Sequence, residues 1–116
     1  MISEILRIAA FSFLAWCFAS FNINWIKDYK KSHRVAIHYL GEVIIFGSVF
    51  YVYFSLFEPT FTTFYTIITC LLSLFVFEMA AWKWYYKQVP WYYGYLHWWL
   101  PSYLVSGAIY GVSQLF

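Results

Sequence analysis

The chain has 116 residues, of which 64% are apolar and only 10% charged, and its formal net charge is +2. Soluble domains carry about 25% charged residues, and a chain of this size leaves roughly a third of its surface exposed. The composition therefore excludes a soluble globular domain, and the small positive charge argues against a nucleic-acid-binding surface.

Four apolar segments approach or exceed the length that a transmembrane helix needs, about 20 residues. They are apolar on all sides, whereas a transmembrane strand would alternate apolar and polar residues. The sequence therefore predicts an all-α fold, an integral membrane bundle of four transmembrane helices in a single domain over residues 1–116. The predicted spans are residues 5–25, 36–57, 60–82 and 97–115.

The connections between the segments predict an orientation in the membrane. Basic residues collect in two of them: Lys27, Lys30, Lys31 and Arg34 in connection 26–35, and Lys83 and Lys87 in connection 83–96. The turn at Pro59 has none. Since short cytoplasmic loops hold the excess of Lys and Arg, we expect connections 26–35 and 83–96 to be cytoplasmic and both termini to lie outside.

The third connection is unusually aromatic. Its ten Trp and Tyr residues are Trp82, Trp84, Tyr85, Tyr86, Trp91, Tyr92, Tyr93, Tyr95, Trp98 and Trp99. Such residues favour the membrane–water interface, which predicts an interfacial belt in contact with lipid. An aromatic cage for a cationic ligand, or a contact surface for a lipid or a partner subunit, is the alternative interpretation.

Small residues recur at spacings that place them on one helix face. Such faces allow close backbone approach between helices in lipid. The candidate packing residues are Gly107, Gly111, Ser102 and Ser106 in the fourth span and Gly41 and Ser48 in the second. These faces either hold the monomer's own bundle together or bind a partner chain, a second copy or a different subunit.

Two carboxylates, Glu42 and Glu78, fall inside predicted spans, where an ionised side chain costs about 2.5–3.5 kcal/mol. We expect the second and third spans to form a hairpin at Pro59, which would bring both carboxylates to a similar depth. His38 precedes Glu42 by one helical turn and Arg34 precedes His38 by another, and His97 begins the fourth span at the same end of the bundle. The predicted polar cluster comprises Arg34, His38, Glu42, Glu78 and His97.

Three interpretations of this cluster stay open. In the first, the cluster is a structural network, in which Arg34 or His38 neutralises Glu42 while Glu78 reaches Lys83 or the indole of a Trp. In the second, it is a proton- or cation-coupled site, because a carboxyl group in a low dielectric can exchange a proton for a ligand. In the third, it is a metal site for iron, copper or zinc, with His38, Glu42, Glu78 and His97 as the candidate ligands. The sequence leaves the identity of any cofactor unknown.

The sequence contains no glycine-rich phosphate loop, no nucleophile elbow and no His-Glu-x-x-His motif, so we do not expect the chain to be catalytic on its own. Its length and its four spans with a membrane carboxylate are similar to those of small multidrug exporters. The essential Glu of that family lies in the first span, where this chain has only Glu4 and Arg7 near the start. Their function is therefore not expected here.

The leading functional expectation is a small accessory subunit of a larger membrane complex, for example a membrane-bound oxidase or monooxygenase. It would pack against other subunits through its small-residue faces and interfacial aromatics. The alternative is an oligomeric proton- or cation-coupled transporter or channel that uses Glu42 and Glu78. A membrane immunity or lysis protein of a phage or plasmid is a third possibility.

Overall fold

All regular structure in the described part of the chain is helical, as predicted. The computed structural model describes residues 2–25, 30–58, 61–84 and 95–116. The four helices are α1 (Ile2–Trp25), α2 (Lys31–Leu56), α3 (Thr63–Trp84) and α4 (Tyr95–Ser113). Helices suit a chain in lipid because they satisfy their backbone hydrogen bonds internally.

Three of these helices are long and apolar enough to cross a membrane, which makes the chain a multi-pass membrane protein. The candidate spans are Ile2–Asn22, Ala36–Leu56 and Thr63–Ala81. Helix α4, which covers most of the predicted span 97–115, has 19 residues and is not among the candidates. Its first two turns contain one Tyr, one His, two Trp and one Pro beside two Leu, and these less hydrophobic residues lower its hydropathy.

The helices form a four-cornered bundle in the order α1, α2, α4, α3. Helix α1 packs against α2 and α3, and α4 packs against the same two helices. The expected hairpin of neighbouring second and third spans is therefore wrong, since α2 and α3 do not pack directly on each other within the described residues. Helices α2 and α3 occupy opposite corners of the bundle, because α1 and α4 pack between them, and they face each other across its centre.

Contacts at the two ends of α1 define how the helices run. The Phe11 ring lies 5.3 Å from the Tyr53 ring, whereas at the other end of α1 the Asn22 amide donates to the Ile37 carbonyl oxygen at 3.5 Å. Helices α1 and α2 are therefore antiparallel. A Cβ atom added to Gly41 would lie 2.5 Å from the Asn22 Nδ2 atom, so a larger residue at this helix crossing would displace the Asn22 side chain.

Helices α1 and α3 run parallel. The Glu4 Oε1 atom accepts a hydrogen bond from the Phe61 backbone N–H at 3.2 Å near the start of both helices. Twelve residues further along α1, Trp16 contacts Glu78 of α3. We call the end of the bundle that holds Glu4 and Phe61 the terminal end, and the opposite end, where the two lysine-rich connections leave, the basic end.

The start of α3 is fixed by a local cap. The Thr62 Oγ1 atom accepts a hydrogen bond from the Tyr65 backbone N–H at 3.3 Å, and the Thr62 carbonyl oxygen accepts one from the Thr66 N–H at 3.0 Å. A threonine at this position satisfies an N–H group that the first turn would otherwise leave unpaired.

The bundle interior is packed with large side chains from α2, in particular Phe46, Phe50 and Tyr53, each at most 1% exposed. Large apolar side chains also cover the outside. Leu6, Phe18, Phe64, Leu72 and Tyr103 are each more than half exposed. Apolar surface on this scale belongs in hydrocarbon, because in water it would drive aggregation.

Candidate intramembrane site

Glu78 of α3 is held by a tryptophan from α1. The Trp16 indole Nε1 donates to the Glu78 Oε1 atom at 2.9 Å, and Glu78 is 9% exposed. The Trp16 ring is in turn packed beside Phe13 and Phe77, with ring centroids 5.9 Å away in each case. The hydrogen bond therefore fixes the position of the carboxyl group, and the two ring contacts fix the orientation of the indole.

Glu42 of α2 is in a different situation. It is 8% exposed, and His38 lies one turn earlier on the same helix, with Nδ1 at 3.8 Å from the Glu42 Oε1 atom. That distance is too long for a hydrogen bond. Within the described ranges, no hydrogen bond to the Glu42 carboxyl group is formed. Glu42 thus retains the capacity to accept hydrogen bonds or to bind a cation.

The two carboxyl groups line one cavity at the centre of the bundle. The cavity is partly open and has a volume of about 140 Å³. All four helices contribute to its wall, whose described residues are Trp16, Ala19, Ser20, Glu42, Phe46, Leu71, Leu74, Phe75, Glu78, Pro101, Ser102 and Val105. The diagonal arrangement of α2 and α3 allows Glu42 and Glu78 to face this space from opposite sides.

The site lies inside the apolar spans, nearer the basic end. Glu42 is six residues from the start of the span Ala36–Leu56, and Glu78 is three residues from the end of Thr63–Ala81. At 1.5 Å per residue these positions correspond to depths of about 9 Å and about 5 Å. Both carboxyl groups are therefore below the level at which bulk water solvates a side chain freely.

Of the five residues predicted for the polar cluster, Glu42 and Glu78 line one cavity, and His38 lies 3.8 Å from Glu42. Arg34 belongs to α2 and His97 to α4, but their side chains lie outside the described residues. Among the side chains that are described, no three His, Cys, Asp or Glu residues are grouped closely enough to hold a metal ion. The metal hypothesis, which also relies on His97, stays untested.

The candidate packing residues occupy different surroundings. Gly41 contacts Asn22, as described above, whereas Ser48 is exposed. Ser102 lines the cavity, and its carbonyl oxygen accepts a hydrogen bond from the Ser106 hydroxyl at 2.7 Å. The glycine face of α4, defined by Gly107 and Gly111, is open. Within the described structure, no atom lies within 4 Å of a Cβ added to either glycine.

Sequence reasoning did not select Trp16 for the site. The available signal was its position, because a Trp in the body of a span is unusual when this residue type favours the interfaces. Sequence reasoning also gave little weight to Glu4, which is 2% exposed and accepts the Phe61 N–H. The Arg7 guanidinium near it lies 4.6 Å from the centroid of the Phe57 ring. These contacts close the terminal end of the bundle.

Comparisons of the chain with protein-family models, curated proteins and solved structures give no match. The chemical possibilities therefore follow from the site itself. One carboxyl group is fixed by an indole, a second has no hydrogen bond from the described residues, and both face a small space inside the membrane. This arrangement can hold a proton or a cation, and it lacks a nucleophile paired with a base among its cavity-lining residues.

Replacement of Trp16 by Phe removes the N–H donor to Glu78 and keeps an aromatic ring. We expect the free energy of unfolding in detergent to fall by about 1 kcal/mol, the usual size of a hydrogen bond between membrane helices. In a Glu78→Leu background the same replacement should cost less, because the acceptor is gone. Equal losses in both backgrounds, measured by denaturant titration followed by circular dichroism, would show that the hydrogen bond contributes nothing.

Proposed function

We propose that this protein is a small proton- or cation-coupled transporter or channel that works through Glu42 and Glu78. The observation that carries the proposal is the pair of carboxyl groups on the wall of one intramembrane cavity. Ionisable residues inside membrane spans commonly mark ion or substrate pathways, because their insertion is costly.

A purely structural role accounts well for Glu78 but poorly for Glu42. Glu78 receives the Trp16 N–H at 2.9 Å, as a satisfied network would require. Glu42 accepts no hydrogen bond from the residues that the structure describes, and it is 8% exposed on the wall of the cavity. An ionisable group that is costly to insert and faces a cavity in this way is better explained by binding or proton exchange.

We further propose that α4 is a fourth span and that both termini lie outside. Helix α4 has 19 residues, which gives a length of about 28 Å at 1.5 Å per residue, close to the hydrocarbon thickness of about 30 Å. Six of the seven Lys and Arg residues in the sequence fall in connections 26–35 and 83–96, which favours a cytoplasmic position for both connections. Residues 26–29 and 85–94 lie outside the described structure. In this orientation the cavity is nearer the cytoplasm.

A reporter enzyme that is active only in the cytoplasm, fused after Phe116, should be silent. The fusion is silent because an even number of spans returns the chain to its starting side. The same reporter inserted in connection 26–35 should be active, because one span separates this connection from the outer N-terminus. A strong signal from the Phe116 fusion would refute either the fourth span or the orientation, and the signal from the insertion in connection 26–35 would tell which of the two is wrong.

Glu42→Gln should abolish proton movement through the purified protein. In vesicles that contain the wild-type chain, a potassium diffusion potential should drive a pH change reported by an internal dye. We expect the Glu42→Gln vesicles to behave like protein-free vesicles, because an amide cannot release a proton.

Glu58→Gln is the matched control, since it removes the same charge from an exposed turn outside the bundle interior. It should leave the flux unchanged. Proton flux that persists in Glu42→Gln at the wild-type rate would exclude Glu42 from the mechanism.

The second candidate function is an accessory subunit of a larger membrane complex, such as an oxidase or monooxygenase. The observation that favours it is the open glycine face of α4. Gly107 and Gly111 have space around them within the described structure, and a GxxxG face commonly binds another helix. Self-association through this face would instead fit an oligomeric transporter.

Gly107→Leu should disrupt association through this face without unfolding the monomer, because the site is open. Gly41→Leu is the contrasting variant and should lower the free energy of unfolding by about 1–3 kcal/mol, because its side chain would meet Asn22. Purification in mild detergent followed by mass spectrometry distinguishes the outcomes. Foreign subunits that co-purify in a fixed ratio indicate an accessory subunit, and a homo-oligomer indicates self-association. If Gly107→Leu co-purifies with the same chains as the wild type, the glycine face of α4 is not the interface.

A further inference from the structure

We infer that the central cavity binds a small organic ammonium ion, with Glu42 as its counter-charge and aromatic rings as its walls. This inference rests on the proposed function, in that it names the class of cation that the Glu42 and Glu78 site would carry. Three properties of the cavity support it: its size, the chemistry of its walls and the unequal state of its two carboxyl groups.

The size of the cavity fits a compact organic ligand. Its volume is about 140 Å³, and a cavity of roughly 150 Å³ accommodates a molecule the size of benzene. A bare inorganic ion would leave most of this space empty, and a large multi-ring cation would not fit without movement of the helices. The expected ligand is therefore an ammonium ion that carries a few carbon atoms.

The wall chemistry disfavours an inorganic cation. The described wall residues offer six side-chain oxygen atoms, two each from Glu42 and Glu78 and one each from Ser20 and Ser102. One of them already accepts the Trp16 N–H, whereas a dehydrated Ca²⁺ takes six to eight oxygen ligands. Potassium filters use rings of backbone carbonyl oxygens, but here the carbonyl groups belong to continuous helices. The remaining wall residues are aliphatic or aromatic, apart from Pro101.

Aromatic rings suit an ammonium ion that carries alkyl groups. Trp16, Phe46 and Phe75 all line the cavity. An organic cation near an aromatic face gains about 2 kcal/mol when the site is dehydrated, and its alkyl groups pack against the same rings. The Trp16 ring is held in place by its bond to Glu78 and by its aromatic neighbours, so this wall is formed before a ligand arrives.

The two carboxyl groups differ in what they can offer. Glu78 is already engaged by the Trp16 N–H. Glu42 is more than nine-tenths buried, lines the cavity and accepts no hydrogen bond from the described residues. It is therefore the carboxyl group available to pair with an ammonium ion.

Binding would exchange one proton for one cation. The protonated Glu42 carboxyl releases its proton to water and the resulting carboxylate pairs with the ammonium ion, so the net charge of the site does not change. Other titratable groups also act on Glu42: His38 from its own helix and Glu78 and Cys70 from α3. The described residues that α1 and α4 contribute to the cavity wall, Trp16, Ala19, Ser20, Pro101, Ser102 and Val105, do not titrate.

The test uses the full-length chain in lipid nanodiscs and choline as a compact quaternary ammonium probe. Bound radiolabelled choline is measured across a range of pH, and proton release is followed in weakly buffered solution. We expect saturable binding that weakens as the pH falls, with one proton released per choline bound. The uncharged isostere 3,3-dimethylbutan-1-ol, K⁺ and tetraphenylphosphonium should compete at least about tenfold less well.

Variants assign the binding to this cavity. Glu42→Gln should abolish choline binding, Phe46→Leu should weaken it about tenfold through loss of an aromatic wall, and Glu58→Gln should leave it unchanged. Circular dichroism and size-exclusion profiles establish that each variant is folded. If Glu42→Gln does not fold, the comparison of choline with its uncharged isostere on the wild-type chain decides the question.

The possible failures are distinguishable. Equal competition by the isostere and choline, or unaltered binding in folded Glu42→Gln, would overturn the ammonium site. Glu42-dependent proton flux without choline binding would overturn the inference and leave the proposed transport function standing. Choline binding with proton release, but with neither potential-driven proton flux nor proton flux driven by a choline gradient in vesicles, would support the site and refute transport.

Discussion

The structure depends on the requirement that polar groups inside a membrane find partners within the protein. Hydrocarbon offers no hydrogen bonds, so backbone groups are paired within helices and polar side chains must be paired across the bundle or bear a cost. Most of the chain meets this requirement. Hydroxyl groups such as those of Thr69 and Ser73 donate to carbonyl oxygens one turn earlier in the same helix.

The two ends of the bundle meet the same requirement differently. At the terminal end, Glu4 is buried and accepts the Phe61 N–H, which ties the start of α1 to the start of α3. Near the basic end, Trp16 satisfies Glu78, but Glu42 is left facing a cavity. Glu42 is thus a buried carboxyl group that faces a cavity and accepts no hydrogen bond from the described residues, and this combination is the physical reason for placing the function there.

The packing that creates the cavity follows from the order of the helices around the bundle. Because α4 lies between α2 and α3, the helices that carry Glu42 and Glu78 do not pack directly on each other within the described residues and face each other across the centre of the bundle. A hairpin of neighbouring α2 and α3 would bring the carboxyl groups together without a space between them. The diagonal arrangement leaves room for a ligand, whose pairing with Glu42 would complete the site.

The sequence by itself determined the all-helical membrane fold and the approximate positions of the three long spans, because hydropathy and segment length depend only on local composition. It also identified Glu42 and Glu78 as costly residues. It could not determine that Trp16 binds Glu78, that Gly41 meets Asn22 or that α2 and α3 lie on a diagonal. Apolar helices of similar hydropathy carry little information about which neighbours they choose, so these contacts were decided only by the tertiary packing.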